Sequence, residues 1–246
     1  QLFYSGTSGL VLPVSNKQAF PPEFSNRSRL CYYASLCNSI EINSSFYKVP
    51  RGATVKKWAV DVPDRFRFTF KLWRNITHNK GLVFEPRAVE YFMNVINNAG
   101  VKKGSLLVQF PPSLKADSLP QLTNLLHCIR QADQDNRWQT AVEFRHASWY
   151  QDKTYCLLDS YQMGMVIHDM PASATPLMET EVNFMYLRFH GPGGKYSGSY
   201  SDDMLHEYAD YIQNWLADGK TVYAYFNNTM GAAVHNLAAL NTMVKQ

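Results

Sequence analysis

Long apolar runs are missing from this 246-residue chain, and none approaches the roughly 18–20 residues that a membrane helix needs. The opening residues, QLFYSGTSGL, also lack the basic stretch followed by an apolar one that marks a secretory leader. Both absences lead to the expectation of a soluble cytoplasmic protein with no membrane partner. The chain does not begin with Met, so a removed leader stays open. Tracts of Gly/Ser, Pro or Gln/Asn are absent too, and with 46% hydrophobic and 14% aromatic residues the composition predicts a folded globular chain. Cysteine is scarce. Cys31, Cys37, Cys128 and Cys156 lie far apart, without the close pairs of a zinc site, and read as buried reduced thiols. Charge excess is slight as well: 24 Lys and Arg against 20 Asp and Glu leave +4, which favours an anionic partner without singling one out.

What the chain does have is a regular alternation of strand-like and helix-like stretches. LFYSGT, SIEINSSF, RFRFTFKL, SLLVQF, TAVEF, MGMVIHD, NFMYLRFH and TVYAYFNN read as eight strands, most followed by a helical pattern such as EPRAVEYFMNVINNAG or DDMLHEYADYIQNWLADG. Strands alternating with helices imply right-handed crossovers and a parallel sheet. Eight such units, with no Gly-rich dinucleotide turn after the first strand, predict an α/β fold: one (β/α)₈ TIM barrel spanning residues 1–246 as a single domain. The sixth helix is expected to be short or replaced by the Pro-containing loop MPASATPLMETEV. Ser118 with Pro120, and Asp202 or Asp203, are expected helix starts, and Gly100 and Gly219 expected stops.

Barrel strands point alternate residues at the helices and at the interior, and barrel active sites lie at the carboxyl ends of the strands. In SIEINSSF, Ile40 and Ile42 suit the helix-facing layer, so Glu41 and Asn43 point inward. In RFRFTFKLW, Phe66, Phe68 and Phe70 face the helices and Thr69 and Lys71 face the interior. The same parity sends Gln109, Glu143, Arg145, Arg188, His190 and Asn227 toward the mouth. A charged inward residue is tolerated where the barrel opens, because water, a ligand or an opposite charge offsets its desolvation. Two readings stay open: a structural network in which Glu41 and Glu143 neutralise Lys71, Arg145 and Arg188, or a ligand site whose bound anion completes the charge balance.

The segment RFHGPGGKYSGSYSDD leads from the seventh strand toward a helix, where barrels often bind phosphate, so Gly193, Gly194 and Lys195 are candidate anion contacts; a plain flexible turn is the alternative. Trp73, Arg74 and His78, and Arg145, His146 and Trp149, bring aromatic and basic side chains to neighbouring loops. That mixture suits stacking on a base or sugar beside a phosphate, although Trp149 fits a core position equally well.

The words GTSG (residues 6–9), EINSSFYKVP, FRFTFKLWRNITH, LLVQFPPSL, AVEFRHASWY, YLRFHGPGGKY and YFNN, in this order along the whole chain, resemble the YecE-like family of uncharacterised TIM-barrel proteins. One departure is the segment after GTSG, which reads LVLPVSNKQAFPPEF where members carry Trp and Tyr. The resemblance implies the barrel and a fold-level likeness to barrel endonucleases and sugar isomerases, with phosphate or DNA binding as an expectation and no particular substrate.

The function expected from these residues is binding of a small anionic, phosphorylated ligand at the carboxyl face, with acid/base chemistry or phosphoester hydrolysis on it. Glu41, Glu143 and His190 are the catalytic candidates, and Asn43, Lys71, Trp73, Gln109, Arg145, Trp149, Arg188, Gly193, Gly194, Lys195 and Asn227 the ligand contacts. Glu143 is the preferred base, since Arg145 two residues on keeps its carboxylate ionised. No cofactor is expected. A divalent metal stays open, with His168, Asp169 and His190 as its ligands, opposed by the neighbouring cations. A glycosidase fits less well, because Gln109 and Arg188 stand where acids are needed. The alternative class is a non-catalytic nucleotide or nucleic-acid binding protein. Nothing in the sequence indicates an oligomeric state.

Overall fold

The computed structural model describes residues 2–178 and 180–245. Its strands are β1 (Phe3–Thr7), β2 (Ser39–Ile42), β3 (Arg67–Lys71), β4 (Lys103–Gln109), β5 (Gln139–Glu143), β6 (Gly164–His168), β7 (Phe184–Phe189) and β8 (Thr221–Phe226). The α-helices are α1 (Arg29–Leu36), α2 (Ser44–Tyr47), α3 (Gly52–Asp61), α4 (Arg74–Thr77), α5 (Pro86–Ile96), α6 (Leu119–Ala132), α7 (Asp152–Ser160), α8 (Asp202–Ala217) and α9 (Ala233–Val244). The strands form one eight-stranded sheet in the order β1-β8-β7-β6-β5-β4-β3-β2, with parallel pairing throughout.

The remaining seam, between β1 and β2, is closed largely by side chains. Ser8 pairs with Glu41 in a single parallel bridge, and the Gly9 amide donates to the Glu41 carbonyl at 2.7 Å. Below it, the Ser5 amide donates to Asn38 Oδ1 at 2.8 Å and Asn38 Nδ2 donates to the Phe3 carbonyl at 2.8 Å. The Tyr33 hydroxyl accepts from the Thr7 amide at 2.8 Å and lies 3.1 Å from the Ser39 carbonyl, to which it donates. Gly6 is required here, because a Cβ would run into the Ser39 carbonyl and the Tyr33 hydroxyl.

The two-residue period sorts the side chains into separate layers. Ile40, Ile42, Phe66, Phe68, Phe70, Leu106, Val108, Val142 and Phe144 share the helix-facing core. Tyr4, Leu107, Ala141, Val166, Phe184, Tyr186, Tyr223 and Tyr225 pack together in the barrel interior. Interior tyrosines carry polar tips that seek partners: the Tyr225 hydroxyl meets Ser39 Oγ at 2.5 Å and Thr69 Oγ1 at 2.7 Å. The helices supply matching apolar stripes at helical spacing, Val89, Phe92, Met93 and Ile96 on α5 and Leu122, Leu125, Leu126 and Ile129 on α6.

Several local expectations are corrected. β2 ends at Ile42; the rest of SIEINSSF turns into α2, so Asn43 caps that turn at the barrel mouth. A second single turn, α4, follows β3. The cap of α8 is Ser201, whose extended backbone lets Oγ accept from the Met204 amide at 3.4 Å, while Asp202 and Asp203 already lie in the first turn and complement the helix dipole. Ser118 does stand at the start of α6 with Pro120 in its first turn, as expected, but makes no side-chain capping bond. Cys156 is exposed on α7 and the other three thiols are half-buried, so full burial does not hold; Cys37 and Cys128 pack against the edge of the core. Between β6 and β7 the described residues form no helix, as expected, and Thr175 Oγ1 donates to the Val166 carbonyl at 2.9 Å to hold that loop against the barrel. No helix among the described residues is long and apolar enough to cross a membrane.

Candidate active site at the carboxyl face

At the top of the barrel, Arg188 of β7 links two carboxylates from β2 and β5. Its Nη2 donates to Glu41 Oε1 at 2.6 Å, its Nε to Glu41 Oε2 at 2.9 Å and its Nη1 to Glu143 Oε2 at 2.7 Å. Glu41 also accepts from Ser8 Oγ and from the Tyr186 hydroxyl, both at 2.6 Å. Glu143 accepts a second charged donor, Arg145 Nε. Burial alone would raise the pKa of both carboxyls, but the Arg188 charge and its hydrogen bonds hold Glu41 below the usual carboxylate range, and Arg145 with Arg188 hold Glu143 well below it. The two carboxylates and two guanidinium groups balance in charge, and each charged oxygen has a donor.

His190 extends this layer. Its Nε2 lies 3.0 Å from Arg145 Nη2 and 3.3 Å from Arg188 Nη1. Guanidinium nitrogens only donate, so Nε2 accepts and the ring proton belongs on Nδ1. That nitrogen is 3.3 Å from Asp169 Oδ1, a contact that falls short of a hydrogen bond. Burial in the first place, and the two arginines, bring the His190 pKa down to about 4, against the pull of Asp169 and Glu143. Asp169 itself accepts from the His190 amide at 2.7 Å and from the Tyr200 hydroxyl.

Above the network opens a cavity of about 580 Å³, walled by Asn43, Phe46, Tyr47, Lys71, Arg74, His78, Gln109, Arg145, Met170, Arg188, Tyr196 and Asn227 among others. The short helices α2 and α4 make one side of it. Lys71 enters from the end of β3; its Nζ lies 4.2 Å from the centroid of the Phe46 ring, and among the described residues it has neither ion pair nor hydrogen bond. Burial first, and then the charges of Arg188 and Arg145 against those of Glu143 and Glu41, lower its pKa to about 7. His78 is pushed to about 4 by burial and by Lys71, Arg74 and Arg145. Asn43 Oδ1 is buried without a hydrogen-bond partner.

The cavity wall therefore brings together Asn43, Lys71, Gln109, Arg145, Arg188 and Asn227 of the expected ligand contacts, with Glu41, Glu143 and His190 beneath it. Other expected contacts lie elsewhere. Trp149 is completely buried, stacked on Phe144 at 4.6 Å between ring centroids, with Nε1 donating to the Leu114 carbonyl at 2.8 Å. Trp73 packs against the helix-facing core. Gly193, Gly194 and Lys195 are off the wall, because their loop folds on itself: the Gly194 amide donates to the Gly191 carbonyl at 2.7 Å and the Gly191 amide to the Tyr200 hydroxyl at 2.5 Å. His168 is tied to the Phe144 carbonyl at 2.8 Å, and among the described residues no group of three or more His, Cys, Asp and Glu side chains is arranged to hold a metal ion.

Sequence reasoning missed Ser8, Tyr186 and Tyr200, and it named Asp169 only as a possible metal ligand, whereas Asp169 accepts from the His190 amide and the Tyr200 hydroxyl. Tyr186 was accessible, since it shares the parity of Arg188 and His190 on one strand. Phe46, Tyr47 and Tyr196 reach the wall through loops and single turns, where the strand period gives no guidance.

Fold and site together define a parallel β/α barrel whose carboxyl face carries a buried Glu–Arg–Glu network under an open polar cavity. The chain belongs to the family described as "Protein of unknown function DUF72", whose model matches residues 4–246. It is 26% identical over 118 residues to the UPF0759 protein YecE of Escherichia coli, a match covering 48% of this chain and 42% of that relative. Its fold is similar to that of a DUF72 family protein from Enterococcus faecalis, with a TM-score of 0.79 at 20% identity over 99% of this chain and 96% of that one. It is similar as well to a DUF72 family protein from Thermotoga maritima, with a TM-score of 0.75 at 23% identity over all of both chains.

Proposed function

We propose that this protein binds a small phosphorylated ligand in the carboxyl-face cavity. One observation carries the reading: Glu41 and Glu143 are neutralised by Arg188 and Arg145, so Arg74 stands on the cavity wall with no anionic partner among the described residues. Exposed Arg74 and part-buried Arg145 give this concave wall a local positive field that attracts an anionic ligand. Arg145 lines the same space and uses only Nε and Nη2 in hydrogen bonds among the described residues, and a cavity of about 580 Å³ matches a metabolite-sized ligand.

Acid/base chemistry and phosphoester hydrolysis remain part of the proposal, with a changed division of labour. Glu41 and Glu143 are held ionised by their arginine partners, and His190 accepts from two arginines; these groups fix the charges around the ligand. Nucleotide or nucleic-acid binding is the second reading, favoured by Tyr47, which is 67% exposed at the rim and placed to stack on a base. The proposed setting is the cytoplasm, which suits four free thiols.

The test is a thermal-shift panel of inorganic phosphate, sugar phosphates, nucleotides and a short oligonucleotide, run on wild type and Arg74→Ala. The expected result is stabilisation by one anionic class that grows with concentration and weakens in the variant. A loss of oligonucleotide binding that is steep in salt would select the polyanion reading. No stabilisation by any member of the panel sinks both readings.

A further inference from the structure

Lys71 combines features that neither the charge network nor simple anion binding uses. Its amine lies at the carboxyl end of a barrel strand, on the wall of the cavity and against the face of Phe46, without a hydrogen bond among the described residues. The carboxylates that would ordinarily keep such an ammonium charged, Glu41 on β2 and Glu143 on β5, are already claimed by arginines. The other charged or titratable groups around the cavity are Arg188 on β7, Arg145 after β5, Arg74 and His78 at α4, and the phenols of Tyr47 and Tyr196; the arginines are cations and His78 is driven neutral. Burial and the neighbouring arginines favour the uncharged amine near neutrality, against the pull of the Phe46 ring on the ammonium, and an uncharged lysine is a nucleophile.

We propose that Lys71 condenses with the carbonyl group of an aldehyde or ketone whose phosphate sits on Arg74 and Arg145, so that the cavity takes phosphorylated carbonyl compounds. The inference rests on the anion-binding reading and narrows its substrate class. The Nζ lone pair attacks the carbonyl carbon, a C–N bond forms, and the carbonyl π pair moves to oxygen, which takes a proton as the amine loses one. The hydroxyl then takes the second amine proton and leaves as water as the C–O bond breaks, and the nitrogen lone pair completes a C=N bond between substrate and Lys71. The division of labour is physical: the arginines stay charged at any working pH and can hold the phosphate, whereas only a lysine can supply the amine.

Pyridoxal 5′-phosphate carries both groups and serves as the probe, with pyridoxal as its phosphate-free control. The protein is treated with each, reduced with borohydride, which delivers hydride to the C=N carbon, and mapped by peptide mass spectrometry. The expected result is an adduct on Lys71 at least about tenfold above any other lysine, given the far larger fraction of free amine expected there. Labelling should rise through a pH of about 7. Inorganic phosphate should suppress it, and pyridoxal should react more slowly. Phosphate that stabilises the protein while adducts scatter over surface lysines overturns the inference and leaves the anion reading standing. Equal labelling by the two aldehydes with no phosphate competition overturns the anion reading, and with it the substrate class. Lys71→Met, checked for an unchanged fold by circular dichroism, should lose the dominant adduct; if it keeps it, the assignment to Lys71 is wrong.

Discussion

Arg188 and Glu41 form a two-pronged ion pair inside the barrel, Nη2 to Oε1 at 2.6 Å and Nε to Oε2 at 2.9 Å, with side chains only 1% and 0% exposed. Such a pair gains little over an apolar substitute, yet breaking it from one side leaves an uncompensated buried charge. Glu41→Gln is therefore expected to lower stability by about 3–5 kcal/mol. The double variant Glu41→Gln/Arg188→Met should lose clearly less than the sum of the single changes. Urea unfolding of the four proteins measures this; strict additivity would mean that the pair is not coupled.

The seam gives a second prediction. Gly6→Ala places a methyl against the Ser39 carbonyl and Tyr33 hydroxyl, where neither the strand nor the buried ring can retreat, and should cost about 1–3 kcal/mol. At Gly193 a Cβ would meet nothing within 4 Å, so Gly193→Ala should stay within about 0.5 kcal/mol of wild type. Equal midpoints for the two variants would contradict the account of the seam.

The pH dependence follows from the direction of each shift. The folded pKa values of Glu41 and Glu143 lie below their unfolded values, so their contribution is full above about pH 4.3 and is lost as pH falls through the folded values. Lys71 behaves differently: with a folded pKa of about 7, the unfolded chain binds more protons between there and about pH 10.4, so stability should rise with pH across that window. Unfolding of wild type and Lys71→Met from pH 6 to 10 tests it, and a rise that survives in the variant assigns the effect elsewhere.

Trp149 separates core from site. Trp149→Phe leaves the Leu114 carbonyl without its donor and should cost about 1–3 kcal/mol while ligand affinity stays unchanged. Tyr47→Ala should do the reverse under the nucleotide reading, because the ring is exposed at the rim and its loss costs the fold little. Titration of the same nucleotide into both variants decides between them.

The strand period made most of the fold and the buried charge layer legible. Phe66, Phe68 and Phe70 had to face helices, and the same counting turned Lys71, Glu143, Arg145, Arg188 and His190 inward. It failed where the chain leaves a strand. Trp73, Trp149 and Lys195 stand within a few residues of inward positions, but a turn redirects each of them, and no two-residue rule describes a turn. The charge balance was only half legible. Which carboxylate meets which cation depends on the reach of Arg188 across the barrel, and Tyr186 and Ser8 complete Glu41 from strands distant in sequence.

The most direct test of the account is calorimetric titration of inorganic phosphate into wild type and Arg74→Ala at low salt. Saturable binding that falls by about tenfold or more in the variant, with both proteins equally folded, is the predicted result. Identical binding in the two proteins, or no saturable heat in either, would contradict the claim that the cations at the carboxyl face are there to hold an anion.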